Sequence, residues 1–239
     1  MSVPVWTGAP PRAAQARAFF WAHPEWWCLG LSAAAWAAMI HHGLAHWGHA
    51  HHARASAAGE WLHWMEMVAA MMLPLALGPV RAAAFRSLRS RRHRAIGVFL
   101  LGYLAPWALL GGAVAGLRGV AWTHTHGVAA AAFALAAAWT LAPAHGRALV
   151  ACHRSVPLAP SGWRADADGL RFGVVVGAAC AASCWATMLA CALTGHDLPA
   201  MLGGAAIGAL ERASFRPRTA AAAVASLVLA AGYAIAALV

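Results

Sequence analysis

The sequence predicts an all-α fold, a polytopic membrane bundle of about seven transmembrane helices. Three observations carry this reading. First, 62% of the 239 residues are hydrophobic and only 10% charged, where a soluble domain carries about 25% charged residues. Second, apolar runs recur along the whole chain at close to the ~20 residues a helix needs to cross a ~30 Å hydrocarbon core. Third, the basic residues fall between those runs.

Seven runs follow in order: Trp26 to His46, Trp61 to Val80, Ile96 to Leu117, Trp122 to Pro143, Leu170 to Leu193, a shorter Leu198 to Leu210, and Ala220 to Val239. If all seven cross, fifteen of the seventeen arginines lie on one side, and only Arg54 and Arg118 on the other. The positive-inside rule then puts the N-terminus inside and the C-terminus outside. Omitting the sixth run reverses the seventh and strands Arg212, Arg216 and Arg218 outside. The chain reads as a single transmembrane domain, 1–239, without a dividing linker. Residues 1–22 form a cytoplasmic tail, 45–59 a histidine-rich outer loop and 81–94 an arginine-rich inner loop. Trp26, Trp27, Trp61, Trp64, Trp107 and Trp122 lie near expected helix ends, where indole rings favour the headgroup zone.

The net charge of +10 does not point to nucleic acid, because it follows topology rather than a basic groove with stacking aromatics. Five cysteines are too scattered for a disulfide framework, and three of them share the fifth run. No nucleophile–base set, phosphate-binding glycine loop or carboxylate pair is visible, so a hydrolase is the least expected class and the chain is not expected to be an enzyme on its own.

Histidine is distributed oppositely to arginine. Ten of fourteen fall at the outer face: His41, His42, His46, His49, His51, His52, His63, His124, His126 and His196. On the second run, His63, Met67 and Met71 recur every four residues and occupy an arc of about 80°. Pro74 lies on the same side, where it is expected to kink the helix. Glu66 sits roughly 9 Å below the helix start, a depth at which a carboxylate needs a partner or a polar cavity. On the fifth run, Cys180, Cys184, Met188 and Cys191 share a similar arc of about 80°. Counted inward from the outer ends, Met188 lies level with Met67 and Cys184 with Met71.

Thiolates and thioethers favour Cu(I), and imidazoles also accept Cu(II) or Zn(II). The expected metal ligands are therefore His63, Met67, Met71, Cys180, Cys184 and Met188, with Glu66 tuning charge. His42, His46, His49, His124 and His126 would collect metal at the outer mouth. Packing alone also uses methionine stripes and small helix faces, and a histidine-rich loop can be merely solvated. Two other functions stay open: a haem-ligating redox subunit held by paired histidines, and an accessory or assembly subunit of a larger membrane complex. Partners are the lipid bilayer and, in those readings, other membrane subunits or a second copy of the chain.

Trp64, Met67, Ala70, Met71, Met72 and Pro74 resemble the W-x-x-M-x-x-A-M-M-x-P signature of a bacterial family of predicted metal-binding integral membrane proteins. Gly177, Cys180, Cys184, Trp185 and Met188 resemble its G-x-x-C-x-x-C-C-W-x-x-M signature, with Ser183 in place of the first member of the cysteine pair. Gly102, Tyr103 and Trp107, and Glu211, resemble further family positions. The resemblance covers about residues 60 to 212. It implies metal binding in the bacterial inner membrane, with copper as the expected metal and its binding, delivery or transport as the expected function.

Overall fold

The computed structural model describes residues 12–45, 56–117, 125–212 and 219–238, and every regular element among them is helical. The elements are α1 (Arg12–Ala22), α2 (Trp26–Ala45), α3 (Ala57–Met72), α4 (Leu77–Phe85), α5 (Arg92–Leu117), α6 (His126–Leu141), α7 (Pro143–Ala151), α8 (Gly162–Leu193), α9 (Leu198–Arg212) and α10 (Thr219–Ala236).

Three stretches are long and apolar enough to cross a membrane: Arg89–Gly116, which contains most of α5, and then α8 and α10. Two bent pairs pass the same test as units, α3 with the segment ending at Phe85 and α6 with α7, bringing the total to as many as five. Both bends sit at prolines. At the first, bent by 49°, Pro74 opens a single 3-10 turn, Pro74–Ala76. At the second, bent by 73°, Ala142 is extended (φ −70°, ψ 139°), the conformation a following proline imposes. Of the other two expected spans, α9 has 15 residues, and α2 carries the polar His41 and His42 near its end.

Several boundaries differ from those expected. Residues 12–22 are helical rather than a plain tail. α8 begins eight residues before Leu170, at Gly162, because its polar first turns are tied down: Asp166 accepts from Arg91 at 2.7 Å and from Arg94 at 2.7 Å. Most of the arginine-rich stretch 81–94 is likewise helical.

α8 is the centre of the bundle, packing against α5, α6, α7 and α9. Its closest neighbour is α5, and glycines set that distance. A Cβ on Gly173 would stand 2.1 Å from the Phe99 carbonyl, on Gly177 2.3 Å from that of Tyr103, and on Gly102 2.2 Å from that of Leu170. Backbones this close are the product of small residues at a helix crossing in lipid. Phe99, Tyr103 and Trp107, successive fours on α5, are completely buried. Trp64 and Trp107 are thus core residues, not headgroup anchors: Trp64 Nε1 donates to the Trp107 carbonyl at 3.0 Å, which lets an indole be buried without losing its hydrogen bond.

Candidate metal centre

α3 is started by Ser56, whose Oγ accepts from the Gly59 amide at 3.1 Å, an N-cap that satisfies a first-turn donor. His63 and Glu66, three residues apart, therefore share one face of its upper half, beside the end of α2. There His42 of α2 joins them. Glu66 Oε2 lies 3.7 Å from His42 Nδ1 and 3.8 Å from His63 Nδ1. The two imidazoles stack at 5.6 Å between centroids, tilted by 17°. One ligand atom from each residue lies within 4.8 Å of the others. The histidines are exposed and the carboxylate is half-buried, so the cluster opens to solvent. His196, just past α8, brings its ring edge-on to His63 at 5.8 Å. Two imidazoles and a carboxylate form a donor set for a divalent metal such as Cu(II) or Zn(II).

Beneath this mouth the donors become sulfur. Met67 and Met188 are fully buried in the same core. Met71 turns toward α9: a Cβ on Gly204 would meet its methyl at 2.9 Å and Cys191 Sγ at 2.7 Å. Only a glycine leaves room there for both side chains.

The residue next to Met71 makes the sulfur–sulfur contact between α3 and α8 that the structure shows. Met72 carries its sulfur to 3.8 Å from Cys180 Sγ. Met72 is one residue, and so 100°, further round the helix, at the point where α3 ends and the chain bends at Pro74. Tyr103 of α5 closes the contact, its hydroxyl 3.1 Å from Cys180 Sγ and 3.3 Å from the Met72 carbonyl. From Cys180 a buried chain of polar groups continues. Cys184 follows one helical turn further along α8. Cys184 lies 3.4 Å from Ser183 Oγ, and that hydroxyl lies 3.9 Å from Cys152, just past α7. Arg212, at the end of α9, donates to Cys152 Sγ at 3.3 Å and to the Leu75 carbonyl at 3.1 Å. All five cysteines are free thiols and buried.

His42, His63 and Glu66 are therefore brought together, while Met67, Met71, Cys180, Cys184 and Met188 all lie in the core below. His126 is apart from them, exposed on α6 and stacked 6.2 Å from Tyr233. His46, His49 and His124 lie outside the described residues. Met72, Cys152, Tyr103 and Arg212 were not among the expected ligands or their supports. Met72 and Tyr103 stand inside the motifs quoted above, which was the available signal; Cys152 and Arg212 carried none.

Comparison with known families gives a match over residues 61–235 to the family described as PpoB2: Copper chaperone. The chain belongs to the PpoB2 copper chaperone family. No curated protein and no solved structure matches it. The PpoB2 match supports copper and gives no support to haem. It opens at Trp61, so it takes in His63, Glu66 and the buried sulfur groups of α3, α7 and α8 but leaves out α2 with its Cys28 and His42.

Proposed function

We propose that this chain is a membrane-embedded copper chaperone that takes up Cu(I) at the His42–His63–Glu66 mouth and passes it, without change of oxidation state, to sulfur below, for delivery. The supporting observation is the convergence of those three side chains, with ligand atoms within 4.8 Å, directly above Met67 and Met71 on the same helix. Imidazole and carboxylate collect the ion from water; thioethers and thiols of Met67, Met71, Cys180, Cys184 and Met188 suit the monovalent ion and reject hard cations such as magnesium. In this reading seven helices cross the bacterial inner membrane, with the N-terminus and most arginines inside and the mouth outside. α2 and α9 are the two additional crossings, short or polar-ended because both serve the site.

The test is copper binding by the purified full chain in detergent. His42→Ala with His63→Ala is expected to lower bound copper by elemental analysis and to remove nitrogen scattering from the copper absorption spectrum. Copper content and spectrum equal to the unmodified chain overturn the assignment of the mouth.

A further inference from the structure

Arg212 poses a problem of charge. It reaches back from the end of α9 into the bundle, half-buried, and its Nε donates to nothing among the described residues. Its two hydrogen bonds go to a backbone carbonyl and a thiol. The neighbouring carboxylate, Glu211, is engaged with His145 at 3.2 Å. Its ionisable contact is instead Cys152, which leads through Ser183 to Cys184, while Cys180 meets the Tyr103 phenol. A guanidinium in apolar surroundings calls for an anion, and every group here that can become one is a thiol or the phenol.

We propose that Cys180 and Cys184, with Met72 behind Cys180, form a Cu(I) station below the mouth that Arg212 renders electrically neutral. The proposal rests on the copper reading above and deepens it: of the sulfur groups named there it takes Cys180 and Cys184, and it adds Met72 and the countercharge of Arg212. Met72, in contact with Cys180, lies six residues below Glu66 and nine below His63 on α3, so the station is roughly 9–14 Å along the helix from the mouth at ~1.5 Å per residue. When Cu(I) binds, two S–H bonds break and two Cu–S bonds form; the two protons leave and no electron moves. The product, a bis-thiolate copper centre, carries a charge of about −1, and the guanidinium supplies the missing +1. Ser183 occupies the middle of the thiol group, 3.4 Å from Cys184 and 3.9 Å from Cys152. Its hydroxyl bridges the two sulfurs, so Cys184 is joined through Cys152 to Arg212. Two thiolates from α8 and a thioether from α3 give a soft set that retains Cu(I) and excludes hard ions.

The experiment is an anaerobic Cu(I) titration of the full chain in detergent against a competing chelator, with copper X-ray absorption and the ultraviolet thiolate-to-copper band as readouts. The unmodified chain should show copper–sulfur scattering, retained in the His42→Ala, His63→Ala protein. Cys180→Ser with Cys184→Ser should abolish the ultraviolet band. Arg212→Gln should weaken Cu(I) binding by about tenfold or more, as loss of an outer-sphere partner does, and Arg212→Lys should recover most of it. Copper bound by the unmodified chain with nitrogen and oxygen scattering alone overturns the thiol station and leaves the mouth standing. No copper bound at all overturns both. Equal affinities of the Arg212→Gln and unmodified proteins overturn the role of the arginine.

Discussion

Met72 and Cys180 touch sulfur to sulfur at 3.8 Å, and the same methionine's carbonyl accepts from Tyr103, whose hydroxyl also meets that thiol. One residue thus joins the end of α3, the middle of α8 and the face of α5. The contact depends on the bend: α3 stops at Met72, and the turn at Pro74 carries the following chain away from α8.

Met72→Leu separates ligation from packing. Leucine conserves the volume, so thermal unfolding in detergent should report a loss below about 1.5 kcal/mol. It has no sulfur, so Cu(I) affinity measured against a chelator should fall by roughly tenfold, on the scale of a disturbed metal site. A large loss of stability with unchanged affinity would make Met72 a packing residue.

Gly173→Ala tests the crossing that places Cys180. The new methyl would stand 2.1 Å from the Phe99 carbonyl and 2.8 Å from the Tyr103 amide, backbone atoms that move only if α5 moves. Overpacking of this kind should lower stability by about 1–3 kcal/mol or more. Gly97→Ala on the same α5 is the control: nothing lies within 4 Å of its Cβ position, and alanine should gain about 0.5–1 kcal/mol of helix stability. A Gly173→Ala melting curve that matches the unmodified protein would refute the close crossing.

Ser32→Ala probes how the bend is tolerated. Proline has no amide hydrogen, so Pro74 leaves the carbonyl four residues earlier, that of Ala70, without its helical donor. Ser32 of α2 supplies one, at 2.8 Å. Removing it should cost about 1 kcal/mol, between the ~0.6 kcal/mol average for interhelical bonds in membranes and the ~1–3 kcal/mol for an orphaned buried acceptor. Ser32→Thr should restore the stability, and failure to do so would assign the effect to packing.

What was legible in the sequence was periodic. The sulfur face of α8 follows from four-residue spacing, and the bend from Pro74. Helix pairing is not written in either, so His42 and Glu66 each stood out alone while their meeting did not. A rotation of one residue separates Met71 from Met72, and only the direction from which α8 approaches selects between them. Cys152 lies in a polar stretch with no repeating face to mark it, and the first turns of α8 look like a loop until Asp166 is seen between Arg91 and Arg94. Polar contacts between distant segments decided each of these, and they leave no local signature.

His145 and Glu211 are another such pair, joined at 3.2 Å with side chains only 1% and 4% exposed. His145 lies two residues before Arg147 in the sequence; α7 nevertheless turns it inward after the break at Ala142, and α9 brings Glu211 to it. Removing one member of a buried pair leaves its partner without compensation, so Glu211→Ala should lower stability by about 3–5 kcal/mol. His145→Leu with Glu211→Leu removes both polar groups together and should lose much less than the sum of the two single changes. Thermal unfolding of the two single variants and the double variant checks this; strict additivity would mean that the two side chains do not stabilise one another. Because Glu211 precedes Arg212, the double variant also asks whether the arginine is held by its own contacts to Leu75 and Cys152. If it is, Cu(I) affinity should survive in the double variant, since neither of the removed groups is a ligand.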